Sequence, residues 1–206
     1  MSNAYHFISR WRVAGTVGEV SDVLGNPLEL TRWWPSVYLE AEQLAPPDSR
    51  GVGRRVRLLT KGWLPYTLRW EFVVIESRYP NGFTLDAAGD FLGRGVWTFT
   101  PDGSFVDIVY DWRIRAEKPL LKSLSGVLRP LFEANHQWAM RQGEESLDLE
   151  LRRRRAATDA ARAAVPPPPG PVTYAGVTLL AAAALAGGGA AYLLIRAMRR
   201  SRGRSG

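Results

Sequence analysis

The chain of 206 residues contains no cysteine and only two histidines. The absence of cysteine excludes disulfide scaffolds, thiolate catalysis and cysteine-based zinc or iron–sulfur sites. With two histidines and no H-x-E or similar cluster, the sequence also predicts no protein-built metal site. The glycine-rich stretch AGDFLGRGVW has neither a G-x-G-x-x-G nor a P-loop pattern, so no phosphate-binding loop and no cofactor are predicted.

Positive charge is concentrated at the C-terminal end. The formal net charge is +7, but residues 152–206 hold ten Arg and one Asp, which gives them a net charge of +9. The first 151 residues therefore carry 17 Lys or Arg against 19 Asp or Glu, a net charge of −2. Because duplex recognition needs cations on the docking surface of the folded domain, this distribution predicts no binding to nucleic acid.

Composition divides the chain into four segments. All eight Trp and all seven Phe lie between Phe7 and Trp138, so the core-forming residues belong to the first part of the chain. The run Pro166–Pro169 favours extended polyproline geometry and indicates a semi-rigid spacer. We predict a domain at residues 1–155, a proline-rich linker at 156–173, a transmembrane helix at 174–195 and a basic tail at 196–206.

The transmembrane prediction depends on an uncharged run of 22 residues, 174–195. As a helix this run would measure about 33 Å, which matches a bilayer's hydrocarbon core. Eight Ala and four Gly make its insertion marginal, so a loose Ala/Gly tail is the alternative. Five Arg follow the run and favour a cytoplasmic C-terminus, whereas the N-terminus has no apolar signal segment for export. We predict a single-pass membrane anchor with the globular domain in the cytoplasm.

Twofold alternation of apolar and polar residues dominates the domain. It is clearest in Phe105–Arg115, which predicts a strand with one covered face. Shorter candidate strands lie in segments 7–13, 55–59, 70–74, 83–87 and 96–99. Turn residues at 80–82 and 101–103 separate successive candidates, so we predict an antiparallel meander.

Helical periodicity appears on both sides of this meander. Thr16–Leu24 begins with a capping-box pattern, Thr16 followed by Glu19, and residues 26–32 predict a further turn or two. Residues 119 to about 155 predict a long amphipathic helix, in which Gly126 and Pro130 are expected to kink or break the first part.

The element order resembles the helix-grip fold of the START-like superfamily, also called the SRPBCC or polyketide cyclase/dehydrase-like family. The segments that carry the resemblance are YHFISRWRVAGTVGEVSDVL, RWWPSVYLE, GVGRRVRLLTKGWLPYTLRWEF, AGDFLGRGVWTF and NHQWAMRQGEESL. The resemblance covers residues 4–151 and implies an α+β fold with about seven curved antiparallel strands around the long C-terminal helix. It also implies a cavity between sheet and helix that binds a hydrophobic small molecule, either a lipid or a polyketide-like compound.

A curved sheet and one helix leave apolar volume between them, where an apolar ligand gains most from burial. We therefore predict a set of ligand-binding residues on the strands and the long helix: Trp70, Phe72, Trp97, Tyr110, Trp112, Phe132, Asn135 and Trp138.

Catalytic candidates are few, and each has a structural alternative. His136 needs an orienting carboxylate to act as a general base, and packing on the helix is the alternative. Asp90 and Arg94 bracket a glycine-rich turn and form either a charged pair at the cavity mouth or a turn-stabilising interaction. Tyr66 belongs to an aromatic turn. Asp107 and Asp111 share a strand face with two Arg, which favours exposed salt bridges over paired acid/base carboxylates.

Three functions remain open from the sequence. The first is a membrane-tethered carrier or sensor of an apolar molecule, and the second is a cyclase or dehydratase acting on a polyketide-like substrate. The third is a partner-binding protein whose cavity is filled. Trp33, Trp34 and the aromatic turn at residues 61–66 are either a gate over the cavity, a surface that dips into a membrane, or part of the core.

Overall fold

The computed structural model describes residues 3–117 and 119–173, of which 119–128 by backbone alone. Its sheet has seven antiparallel strands in the order β1-β7-β6-β5-β4-β3-β2. The strands are β1 (Ala4–Ala14), β2 (Tyr38–Ala45), β3 (Arg55–Lys61), β4 (Thr67–Ser77), β5 (Gly82–Gly89), β6 (Phe91–Asp102) and β7 (Phe105–Ala116). The predicted α+β class and antiparallel sheet of about seven strands are confirmed: β2 to β7 form the meander, and β1 pairs with β7.

Two short helices connect β1 to β2. In α1 (Val17–Leu24) the predicted capping box is present, because Glu19 N donates to Thr16 Oγ1 at 3.3 Å and Thr16 N donates to Glu19 Oε2 at 2.8 Å. A 3₁₀ turn (Pro27–Glu29) and α2 (Leu30–Trp33) follow. These elements bring the side chains of Trp33 and Trp34 into the core, where the two residues are 0% and 3% exposed. The core alternative for this pair is therefore confirmed.

The long helix α3 (Pro119–Arg155) runs without interruption through Pro130. Of the predicted kink or break, the break is therefore wrong, since proline removes only one backbone donor from the helix. Beyond Pro130, α3 packs against β1, β7, α1 and α2. Met140, Leu147 and Leu151 are its buried apolar contacts with the sheet and small helices.

Strand β7 alternates as predicted between the core and an exposed face. Val106, Ile108 and Trp112 are buried. On the outer face, Arg12 Nη1 lies 2.6 Å from Asp107 Oδ1, and Arg113 Nε lies 3.1 Å from Asp111 Oδ1. The two carboxylates thus belong to exposed ion pairs, as the salt-bridge alternative predicted.

The chain after α3 contains one further described helix, α4 (Asp159–Ala163), within the segment predicted as linker. The compact unit that holds the domain extends to Pro171, and of the second unit only residues 172 and 173 are described. No helix in the described part of the chain is long and apolar enough to cross a membrane. The predicted span at residues 174–195 lies outside the described residues.

Candidate functional site

A cavity with a volume of about 650 Å³ lies between the sheet and the small helices. Its inner walls are apolar side chains of the strands, with Leu58, Phe72, Val74, Leu85 and Trp97 among them. No residue of α3 lines it among those whose side chains are described. We call this space the large cavity. Its volume falls within the range of small-molecule sites in proteins.

A second, small cavity of about 160 Å³ lies between the sheet and α3, where the sequence predicted the ligand site. From α3 it is lined by Phe132, Asn135, His136, Ala139 and Met140. A cavity therefore exists beside the long helix, but its volume is about a quarter of that of the large cavity.

Four side chains line both cavities and form a wall between them: Trp34, Tyr38, Trp70 and Tyr110. Trp34 reaches this position because Gly143 of α3 offers no side chain, and a methyl group there would overlap the indole ring. The Trp34 ring also lies 5.0 Å from the Tyr38 ring in an edge-to-face arrangement. A bulky residue from the end of α2 thus fills the space beside α3 and displaces the larger cavity toward the small helices. We call these four residues the aromatic wall.

The tyrosines of the aromatic wall are the polar groups at the inner end of the large cavity. Burial raises the pKa of both Tyr38 and Tyr110, and the charge of Tyr38 raises that of Tyr110 further. Both phenols are therefore neutral at physiological pH. Tyr110 also stacks on Trp97 with ring centroids 4.0 Å apart, which fixes the ring at the cavity wall. Phenol groups held in this way can orient a ligand by hydrogen bonding.

The outer end of the large cavity has a polar rim at the protein surface. Tyr79 is 67% exposed, and its hydroxyl donates to Asp22 Oδ1 at 3.2 Å. The side chain of Arg50 is 83% exposed and lies 3.7 Å from Asp48. Arg54 completes the charged groups among the described lining residues. The large cavity thus changes from aromatic inside to charged at its mouth.

His136 lies in the small cavity, on the face of α3 that meets β1. Its ring stacks on Phe7 with centroids 4.1 Å apart, and its Nε2 lies 3.3 Å from Ser9 Oγ. In the described part of the chain no carboxylate is hydrogen-bonded to the ring. Burial lowers the pKa of His136 to about 4, so the imidazole is neutral at pH 7. A base with so low a pKa is poorly matched to proton abstraction near neutrality.

The lowered pKa of His136 predicts a pH-dependent stability. Since the folded state binds the proton less tightly than the unfolded chain, the contribution of the neutral ring is present above pH 6.5 and is lost as the pH falls toward 4. We expect the variant His136→Gln to show a shallower decline in unfolding free energy over this interval, measured by urea unfolding at a series of pH values. His136→Phe, which keeps an aromatic ring on Phe7, should flatten the decline equally. Unchanged slopes in both variants would contradict this assignment.

Most of the predicted ligand-binding residues line a cavity. The structure places Phe72 and Trp97 in the large cavity and Trp70 and Tyr110 in the aromatic wall. The small cavity is lined by three further residues of the predicted set: Trp112, Phe132 and Asn135. Trp138 is the exception, because it packs half-buried against the core and lines neither cavity.

Among the catalytic candidates, the structure brings only Tyr66 and His136 to one cavity, the small one. Of the two alternatives for Asp90 and Arg94, the structure does not show the charged pair at a cavity mouth. Arg94 lies within β6, opposite Asp86 of β5, and its Nε donates to Asp86 Oδ1 at 2.7 Å on the outer face. Asp90 Oδ2 accepts a hydrogen bond from Arg69 N at 2.9 Å, as in the turn-stabilising alternative.

Tyr38, Leu85 and Arg54 are among the residues of the large cavity that sequence reasoning missed. Tyr38 begins β2, whose weak alternation gives little indication of a strand. Leu85 was part of a candidate strand but was not assigned to the ligand site. Arg54 did carry a signal, because it is in phase with the buried residues Val56 and Leu58 of β3. A charged residue at a core-facing position is the kind of exception that marks a site.

A scan against protein-family models and a search of curated proteins gave no match. The fold is similar to that of solved structures. The Zhui aromatase/cyclase from Streptomyces sp. R1128 has a TM-score of 0.57 and 17% identity, covering 75% of this chain and 97% of that protein. A protein from Thermus thermophilus has a TM-score of 0.56 and 18% identity, covering 69% of this chain and 97% of its own.

A third similar structure is the di-domain aromatase/cyclase BexL from the BE-7585A biosynthetic pathway. Its TM-score is 0.53 at 12% identity, and the match covers 70% of this chain and 50% of BexL. At these identities the similarity concerns the fold, not the activity. Together with the strand order and the long helix, it shows that the chain shares the fold of these proteins, a seven-stranded antiparallel sheet with a long C-terminal helix.

Proposed function

We propose that this protein binds a hydrophobic small molecule, a lipid or a polyketide-like compound, in the large cavity and carries or senses it without chemical change. The observation that carries the proposal is a preformed cavity of about 650 Å³ with aromatic inner walls and a polar rim. Burial of apolar ligand surface there contributes about 25 cal/mol per Å². We further propose that residues 174–195 tether the domain to a membrane, which would raise its effective concentration near membrane-dissolved ligand.

The partner-binding alternative predicts an interior filled by side chains. The large cavity is not filled, which argues against this alternative. The similarity to two aromatase/cyclases supports a ligand related in size and apolarity to polyketides. It supports a cyclase equally well, so the choice between the two functions depends on the chemistry of the cavity walls.

Binding to the large cavity can be tested with Nile red, an uncharged fluorescent probe, and the full chain. We expect the probe to bind with enhanced, blue-shifted emission. Leu85 is 4% exposed and lines only the large cavity. Leu85→Trp fills part of this volume and should weaken Nile red binding about tenfold or more, which corresponds to about 1.4 kcal/mol. The affinities are measured by fluorescence titration.

The matched control is Leu92→Trp, the same substitution on the outer face of β6, where Leu92 is 38% exposed. It should leave the affinity within about twofold of the parent chain. Circular dichroism of each variant shows whether the fold is kept. The absence of Nile red binding to the parent chain, or equal affinities for a folded Leu85→Trp and the control, would refute the proposal.

A cyclase or dehydratase activity is the second candidate, because Tyr66 and His136 both line the small cavity. The low pKa of His136 and its hydroxyl rather than carboxylate partner make it a weak general base at neutral pH. For this reason we propose ligand binding without chemical change before enzymatic activity. Conversion of a linear polyketide analogue by the parent chain, abolished in His136→Gln while Nile red binding persists, would establish the enzyme instead.

A further inference from the structure

Arg54 differs from the other arginines of its strand region. Arg55 and Arg57 point outward and both pair with Glu71, at 2.9 Å and 2.8 Å. Arg54 points inward, lines the large cavity, and has no carboxylate within ion-pair distance in the described part of the chain. Its charge is therefore not compensated by an acidic side chain in the way that its neighbours' charges are.

The hydrogen bonds of Arg54 are also incomplete. Its Nη1 donates to the backbone oxygen of Gly25 at 2.6 Å, which fixes the guanidinium against the end of α1. Its Nε is buried and has no hydrogen-bond partner among the described residues. Nη2 also makes no hydrogen bond with a described residue, so the charged guanidinium keeps donor groups that the described part of the protein does not use.

The orientation of the guanidinium determines which of these donors can meet a ligand. Because Nη1 donates to Gly25 and Nε is enclosed by the protein, Nη2 is the guanidinium nitrogen that is left for a ligand in the large cavity. A charged N–H donor of this kind forms strong hydrogen bonds with the oxygens of a carboxylate. Asp22, the carboxylate in the described lining, instead accepts the hydroxyl of Tyr79.

We propose that Arg54 binds the carboxylate of the ligand, so that the large cavity selects apolar acids over neutral molecules of the same shape. The apolar body would then lie against Phe72, Leu85 and Trp97, with the acidic end toward the rim. This inference rests on the proposed function, since it names the chemical class of the molecule bound in the same cavity. Arg54 would set both the orientation of the ligand and its class.

The test compares 1-pyrenebutyrate with its methyl ester, two fluorescent probes that differ in the charge of one end. Using the full chain, we expect the acid to bind about tenfold tighter than the ester. In Arg54→Gln the acid should lose this advantage, while the affinity for the ester stays within about twofold. Arg55→Gln is the matched control, because Arg55 is the next residue, points outward and pairs with Glu71. It should leave the preference for the acid unchanged.

Each outcome separates the subsite from the cavity itself. Equal affinities for acid and ester in the parent chain would overturn the role of Arg54 while leaving the proposed function intact. A loss of preference in Arg55→Gln as large as in Arg54→Gln would reduce the effect to general positive charge and also overturn the role of Arg54. If neither pyrene probe nor Nile red binds, the proposed function itself fails. If Arg54→Gln does not fold, the role of Arg54 is tested by the ratio of the affinities for acid and ester, measured for the parent chain and for Arg54→Lys.

Discussion

Replacing Glu150 with glutamine is expected to lower the free energy of unfolding by about 3 kcal/mol. Glu150 is 1% exposed and lies on α3 facing α2. Its oxygens accept hydrogen bonds from Arg32 at 2.7 and 2.8 Å and from Arg154 at 2.7 Å. In glutamine an amide NH₂ group replaces one of these oxygens. This group cannot accept hydrogen bonds from Arg32 or Arg154, so part of the network would be lost.

The size of this effect follows from the surroundings of each partner. Removal of one member of a buried ion pair commonly costs about 3 to 5 kcal/mol. The lower figure applies here because the side chain of Arg32 is 49% exposed and regains water when its partner is lost. For a domain of this size, about 3 kcal/mol corresponds to a fall of about 6 to 12 °C in Tm, measurable by calorimetry.

The same carboxylate predicts a pH dependence. Burial alone would raise the pKa of Glu150, but the hydrogen bonds and charges of Arg32 and Arg154 outweigh it and hold the pKa at about 2. Because this value lies below the 4.5 of a free glutamate, the stabilisation is present at neutral pH and is lost as the pH falls from 4.5 toward 2. The difference in stability between the parent chain and Glu150→Gln should therefore shrink in acid.

Glu145→Gln is the control for this prediction. Glu145 is exposed on the same helix and makes no hydrogen bond or ion pair within the described residues. Its replacement should change the unfolding free energy by less than about 0.5 kcal/mol. Equal stabilities of the two variants, or a difference that does not change with pH, would show that the Glu150 network does not hold α3 to α2.

Local patterns predicted most of the fold. The alternation of β7 and the capping box of α1 depend on neighbours in sequence, and the structure has both where they were expected. The long helix was predicted by its periodicity, and the break allowed for at Pro130 is absent, because one missing donor does not interrupt a helix that packing stabilises.

The site was harder to predict because it depends on contacts between distant residues. Arg94 pairs with Asp86 through strand register, which a glycine-rich stretch does not reveal. Trp34 divides the interior only because Gly143, more than a hundred residues later, makes room for its ring. The sequence thus indicated aromatic walls but not which helix would fill the space beside them.

Replacing Trp34 with alanine is expected to lower the free energy of unfolding by about 4 kcal/mol, within the usual range for a buried Trp. The ring is 3% exposed and lies 5.5 Å from the rings of both Trp11 and Trp33, so its removal leaves a void in the core as well as a gap in the aromatic wall. Chemical denaturation measures the loss. Phe105→Ala, on the outer face at 40% exposure, should cost much less.

The gap should join the large and small cavities, and this consequence separates a dividing wall from ordinary core packing. Indole added to Trp34→Ala should occupy the vacated volume and raise its Tm, since a ligand that binds only the folded state stabilises it. It should have little effect on Phe105→Ala. A long probe that fits neither cavity alone, such as an extended polycyclic aromatic, should gain affinity for Trp34→Ala relative to Nile red. Unchanged probe selectivity in a folded Trp34→Ala variant would mean that Trp34 does not limit the length of the ligand, and that Tyr38, Trp70 and Tyr110 suffice to divide the interior.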